Sequence, residues 1–327
     1  MKIVFYNKLN RSWLQKIEGL RRAFSHVDFI TAKDRTGGIL EDADAIVSGE
    51  LASDLLKQCR NLKMIFVPYA GPDALPLDQI RKRGIRVANV HGNAPYVAER
   101  AVAMALGFYG KIIDYHNDLK KFQWHGYWAT GNVEDSWDSI EGRTCAVIGT
   151  GAIGQHVAKY LKVFSCRVIG FKKRPLKRIP EFFDEITLDL DRALEQSELI
   201  FITLPLTKDT QGLFSAEILS GLKGKFLVNV GRGGVVDEEG LYRALKDGIL
   251  KGAAIDVWYV YPQKGKATAT QPSRFPFHEL ANVVLSPHLA GFTPQAARLN
   301  IEQTVENIQS FLKTGKALFE VDPELMY

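Results

Sequence analysis

Gly149-Thr150-Gly151-Ala152-Ile153-Gly154 stands between a short apolar run, residues 144–148, and a stretch with helical periodicity, residues 152–163. Few folds use three glycines at this spacing between a strand and a helix. Gly149 permits a tight turn, Gly151 lets a pyrophosphate approach the backbone, and Gly154 lets helix and strand pack closely. The helix N-terminus then offers N–H groups and positive dipole to the anion. This context reads as a dinucleotide site at Gly149, Gly151, Ala152, Ile153 and Gly154, within an α/β fold.

The rest of the chain agrees with such a fold. Short runs at 2–6, 27–31, 45–48, 64–67 and 85–89 read as strands alternating with helical patterns, the signature of a parallel sheet. Residues 95–115 have the composition of one long helix. A second series of strands is expected at 144–148, 167–171, 199–203, 226–230, 253–257 and 283–285, followed by a helix at 294–313. Two Rossmann-like domains with parallel sheets result. A dinucleotide-binding domain, 96–289, is expected to be inserted into a flavodoxin-like substrate domain made of 1–95 and 290–327. The length of 327 residues suits two domains at about 150 residues each. Residues 261–276, rich in Lys, Thr, Gln and Pro, read as a surface loop.

Composition excludes several classes. Subtracting 37 acidic from 42 basic residues leaves +5, too little to imply a nucleic-acid partner. Cys59, Cys145 and Cys166 are far apart and form no Cys-x-x-Cys pair, so neither a metal site nor a redox couple is expected, and a reducing compartment suits them. No apolar run approaches the ~18 residues of a membrane span, and the first six residues read as a strand rather than a signal segment. A cytoplasmic protein is the expectation.

After the second strand of the glycine unit, an acidic residue usually holds the ribose 2′-hydroxyl of NAD. This chain has Lys172-Lys173-Arg174 there, following Phe171. Loss of the acid and gain of cations favour NADP over NAD, with these three residues pairing with the 2′-phosphate. The alternative is a solvated basic loop, since Lys177 and Arg178 lie close by.

Three more segments fall at expected C-terminal strand ends, where open α/β sheets bind ligands. They are Asn229-Val230-Gly231-Arg232-Gly233-Gly234, Ala254-Ile255-Asp256-Val257-Trp258 and Ser286-Pro287-His288-Leu289-Ala290-Gly291. With the glycine turn, Leu204-Pro205-Leu206-Thr207 and Val97-Ala98-Glu99, their order and spacing over almost the whole chain resemble the D-isomer-specific 2-hydroxyacid dehydrogenases. The resemblance implies hydride transfer between a nicotinamide and a 2-keto or 2-hydroxy acid of the glyoxylate or hydroxypyruvate kind. It implies that Arg232 holds the substrate carboxylate and polarises the carbonyl, as a guanidinium fork can. Asp256 and Pro205 would contact the cofactor. His288 would be the proton donor in reduction and the acceptor in the reverse reaction. Backbone N–H groups at Ala70 and Gly71, with Asn93, would bind substrate from the other domain across a closing cleft. Relatives are commonly homodimers, and residues 120–137 are the expected contact region. No extra C-terminal regulatory domain is expected, which fits a feedback-controlled biosynthetic phosphoglycerate enzyme less well than a short form of one.

Each residue also has an ordinary structural reading. Arg232 could be a surface charge, Asp256 a strand-end cap, His288 a loop histidine, Gly71 a turn glycine and Asn93 a helix cap. The other six histidines read as surface or packing residues, and Trp258, Trp124, Trp128 and Tyr69 as core.

In most of the family, a glutamate five residues after the strand-end Asp pairs with the histidine. Tyr261 stands at that place here, before Pro262. A phenol can orient an imidazole by hydrogen bonding but stabilises its cation less than a carboxylate does, so a lower His288 pKa than in glutamate-bearing relatives is expected. Three readings follow: a 2-hydroxyacid dehydrogenase with Tyr261 as orienter, a formate-dehydrogenase-like oxidation without proton transfer, or a non-catalytic dinucleotide-binding sensor.

Overall fold

The computed structural model describes residues 1–31, 38–176, 178–263, 268 and 270–322. Two compact units form, Met1–Asn93 with Phe292–Tyr327, and Ala94–Gly291.

The first unit contains β1 (Lys2–Phe5), α1 (Arg11–Ala23), β2 (Asp28–Ile30), β3 (Ala45–Val47), α2 (Ser53–Gln58), β4 (Met64–Phe66), α3 (Leu77–Lys82) and β5 (Arg86–Ala88). Its sheet is parallel in the order β2-β1-β3-β4-β5. Side chains alternate between the two faces. Ile3, Phe5, Val47 and Phe66 pack on Trp13, Ile17 and Leu20 of α1 and on the C-terminal helix, while Val4, Ile46, Ile65 and Val87 pack on Leu56 and Ile80. That last helix of the chain is numbered α11 (Pro294–Thr314). It starts with Thr293 accepting from the Ala296 N–H and Pro294 in its first turn, and stops at left-handed Gly315.

The second unit runs α4 (Ala94–Tyr109), α5 (Ile112–Leu119), α6 (Tyr127–Thr130), β6 (Thr144–Ile148), α7 (Ala152–Val163), β7 (Arg167–Phe171), β8 (Glu185–Thr187), α8 (Leu190–Glu195), β9 (Leu199–Ile202), α9 (Ala216–Gly221), β10 (Phe226–Asn229), α10 (Glu238–Lys246), β11 (Gly252–Ile255) and β12 (Val283–Leu285). Its parallel sheet has the order β12-β11-β10-β9-β6-β7-β8. Read from β8, this is the doubly wound dinucleotide-binding order with one further strand. Cys145, Val147, Val168, Phe201 and Val228 face α4 and α7 on one side. Ala146, Ile148, Ile200, Leu227 and Ile255 face the opposite layer of Ala193, Leu219, Leu241 and Leu245.

Three details differ from the sequence expectation. The helix expected at 95–115 breaks after Tyr109, where Lys111 takes a left-handed φ of 48°. Glu185–Thr187 adds an edge strand too short and polar to be recognised, and Glu185 holds Arg167 and Arg192 at 3.0 and 2.7 Å. The expected loop at 261–276 lies partly outside the described residues, as does Lys177. Its described end is tethered rather than loose. The Pro272 carbonyl accepts from the Tyr259 and Val260 amides, and buried Glu238 accepts from Ser273 and Arg274.

Among the described residues, no helix is long and apolar enough to cross a membrane, and no group of three or more His, Cys, Asp and Glu side chains could hold a metal ion.

Candidate active site

The turn after β6 is built for close approach. Gly149 has φ +105°, and its carbonyl accepts from the Thr203 hydroxyl at 2.9 Å. A Cβ on Gly154 would fall 1.9 Å from that same carbonyl, so no larger residue fits. Gly151, at the N-cap of α7, makes no side-chain cap, and a Cβ placed on it would meet nothing within 4 Å. The first N–H groups of α7, at Ala152 and Ile153, therefore lie beside an open approach. The Thr150 hydroxyl is buried without a hydrogen-bond partner. An uncapped helix start, an open glycine and an unsatisfied hydroxyl fit the pyrophosphate of a dinucleotide. Pro205 lies in the turn after β9, its carbonyl accepting from the Thr210 hydroxyl at 2.6 Å.

The basic run follows β7 directly. Lys172 is half-buried, whereas Lys173 and Arg174 are exposed. Lys173 Nζ lies 2.8 Å from Asp209 Oδ2. The carboxyl of Asp209 is held below its usual range, first by that hydrogen bond and then by the charges of Lys173 and Arg174.

Arg232, Asp256 and His288 leave the same edge of the sheet from the adjacent strands β10, β11 and β12. With neighbouring strands about 4.8 Å apart, Arg232 and His288 start roughly 10 Å from one another. The Arg232 backbone is wedged in place. A Cβ on Gly231 would lie 2.5 Å from the Leu204 carbonyl oxygen, and one on Gly233 would lie 2.3 Å from that of Trp258. The Asn229 side chain ties the turn by accepting from the Gly231 N–H and donating to the Arg232 carbonyl.

Asp256 departs from expectation. It is 0% exposed, so it offers no surface to a cofactor. One carboxylate oxygen accepts from the Ser286 hydroxyl and the Leu289 N–H, the other from the Ala290 N–H at 3.1 Å. These donors bracket His288, which is exposed and has a left-handed φ of 56°. That conformation costs a non-glycine residue about 1 kcal/mol or more, and the buried carboxylate offsets it by fixing the peptides that follow. Trp258 bonds once to this loop and once to Tyr261. Its indole N–H donates to the Ser286 carbonyl at 2.8 Å, and its amide donates to the Tyr261 hydroxyl at 3.0 Å. The Tyr261 ring lies against the His288 ring, with centroids 5.3 Å apart.

In the first unit, Ala70 and Gly71 form the turn after β4, and the Asn89 side chain donates to the Ala70 carbonyl at 2.7 Å. Asn93 precedes α4, but its Oδ1 is buried without a partner and so does not cap that helix.

Sequence reading missed Ser286, Thr150 and Asp209 as parts of these sites. Only their places beside motif residues hinted at them. Trp258 is core, as its type suggested, but Trp124 and Trp128 are 60% and 80% exposed. His125, read as ordinary, bridges Asp135 and Asp118 at 3.0 and 3.2 Å.

Residues 102–290 match the family model of the D-isomer-specific 2-hydroxyacid dehydrogenase NAD-binding domain. A glycerate dehydrogenase of Methylorubrum extorquens is 30% identical over 264 residues, 80% of each chain. A solved NADPH-dependent glyoxylate/hydroxypyruvate reductase of Sinorhizobium meliloti, in complex with NADP and malonate, superposes with a TM-score of 0.76 at 25% identity, covering 99% of this chain and 98% of that one. A D-lactate dehydrogenase of Aquifex aeolicus complexed with NAD and lactic acid also gives 0.76 at 25% identity, covering 97% and 99%.

Proposed function

Because this chain belongs to the D-isomer-specific 2-hydroxyacid dehydrogenases, NAD(P)-dependent oxidoreductases of 2-keto and 2-hydroxy acids, we propose that it reduces a small 2-keto acid, such as glyoxylate or hydroxypyruvate, with NADPH. The observation that carries this reading is the His288 loop, held from below by Asp256 and flanked by Tyr261, on the same sheet edge as Arg232. A dinucleotide held by its pyrophosphate at the glycine turn would supply the hydride, from its reduced nicotinamide to the carbonyl carbon of the keto acid. Arg232 pairs with the substrate carboxylate and polarises the adjacent carbonyl. His288 gives a proton to the oxygen as it becomes an alkoxide, and takes it back in the reverse direction. Tyr261, its oxygen held by the Trp258 amide, keeps the imidazole in place without adding negative charge. Asp256 is a positioning residue in this scheme.

Lys172, Lys173 and Arg174 support the preference for the phosphorylated cofactor. Ala70, Gly71 and Asn93 are proposed as further substrate contacts. Exposed Phe122, Trp124, Trp128 and Trp137 support a homodimer, since a cluster of large apolar side chains in water marks a contact surface. Three buried free thiols support a reducing compartment, the cytoplasm.

A panel of 2-keto acids with NADPH and NADH tests the proposal. Arg232→Ala and His288→Ala should each lower turnover by about 100-fold or more while leaving NADPH binding intact. Turnover of formate, or tight cofactor binding with no turnover across the panel, overturns it.

A further inference from the structure

The strand order sets β6 between β7 and β9, so the segments after β7 and β9 flank the glycine turn that follows β6. From one flank comes Lys173, two residues beyond β7. From the other comes Asp209, in the turn beyond β9, and the two meet at 2.8 Å. That turn is fixed internally. The Thr207 amide donates to the Thr210 hydroxyl at 2.8 Å, and the hydroxyl donates to the Pro205 carbonyl. The carboxylate missing from the end of β7 therefore arrives there from a different strand.

We propose that Asp209 is a specificity-determining residue for the cofactor, competing with a 2′-phosphate for Lys173 and so narrowing the discrimination between NADPH and NADH. The proposal rests on reading residues 149–154 as the dinucleotide site. A ribose 2′-phosphate carries close to two negative charges at neutral pH. To reach Lys173 it must displace a carboxylate that stays ionised. NADH brings only a 2′-hydroxyl, which Asp209 can accept a hydrogen bond from, as an acid at the end of β7 does in NAD-binding relatives of the fold. Lys172 and Arg174 still attract the phosphate, so the two features oppose one another. The lysine and aspartate side chains are 67% and 59% exposed, and the pair can open when nucleotide arrives.

Titration of the whole protein by nicotinamide fluorescence, with NADPH and NADH separately, tests this without turnover. Asp209→Asn should tighten NADPH by about fivefold and leave NADH unchanged or weaker, a size set by the modest worth of exposed charge pairs. Lys173→Met should weaken NADPH, and adding Asp209→Asn to it should restore less than about twofold. A wild-type ratio of the two dissociation constants in Asp209→Asn overturns the proposal. So does a full shift in the absence of Lys173. Failure of the wild type to bind either nucleotide overturns the reading of the glycine turn, and this proposal with it. Binding with an unaltered ratio overturns this proposal alone.

Discussion

Two carboxylates secure loops at the same edge of the second sheet, and they do so by opposite physics. Asp256 is sealed from water and satisfied by three neutral donors from the segment 286–290. Asp209 stands mostly in water and faces a lysine. Stripping a buried acceptor leaves each of its donors unsatisfied at about 1–3 kcal/mol, whereas an exposed ion pair is worth about 0–1 kcal/mol. In the proposed function, the rigid arrangement lies behind the imidazole that passes the proton. The exchangeable one lies beside the turn proposed to hold the nucleotide. On that proposal, preorganisation is concentrated at the chemical end, and adaptability at the ribose end.

Breaking the buried clamp should give the largest effect. Asp256→Ala is expected to lower kcat by about 100-fold and unfolding stability by about 2–4 kcal/mol, through misplacement of His288 and three orphaned donors. Steady-state kinetics and denaturant melts check both, and NADPH binding should stay within about twofold. Near-normal kcat would show that His288 holds its place without this support. Ser286→Ala removes one donor of the three and should cost about tenfold in kcat with KM little changed. Ser286→Thr, which keeps the hydroxyl, should recover most of the loss. Recovery separates positioning from a merely structural defect.

The environment of His288 can be sharpened as well as broken. Tyr261→Glu puts a carboxylate beside the ring that Tyr261 now touches. An anion there favours imidazolium, so the proton donor persists to higher pH and the alkaline limb of keto-acid reduction should move up by about one pH unit. A pH–rate profile identical to wild type would mean that position 261 does not govern the titration.

These two ends were unequally legible in the sequence. Strands such as 144–148 and 226–229 are apolar runs buried on both faces, and their type is written in each residue. The glycine turn was readable because Gly149 and Gly154 are required by local backbone geometry. The break after Tyr109 was not, since Leu106, Phe108 and Tyr109 continue a helical composition and only Gly110-Lys111 marks the stop. Tyr261 was located by its spacing from Asp256. The partners of Asp256 lie 30 or more residues away, and no pattern along the chain tells a strand-end aspartate that faces a ligand from one that faces its own next loop. The Lys173–Asp209 pair was hidden for the same reason, because it depends on which strands are neighbours.

The smallest expected effect comes from a half-buried device of the same unit, His125. Its ring accepts or donates at both nitrogens, toward Asp135 and Asp118, and stacks on Tyr115 at 4.4 Å. The Gly126 amide also binds Asp135, Lys121 lies 3.8 Å from Asp118, and Lys111 lies over the Tyr115 ring. The hydrogen bond to Asp135 is the main cause that raises the His125 pKa, with Asp118 adding to it. A folded pKa above the unfolded value means stabilisation that is complete below about pH 6.5 and lost as pH rises through the folded value. Residues 118–135, which carry exposed Phe122, Trp124 and Trp128, should therefore be better ordered at pH 6 than at pH 8.5. Hydrogen exchange, corrected for its intrinsic pH dependence, reads this directly, and His125→Gln should make the segment insensitive to pH. Equal protection at both pH values in the wild type would show that the two aspartates hold the neutral ring as firmly as the charged one, and the contrast between buried and exposed anchoring would then rest on Asp256 and Asp209 alone.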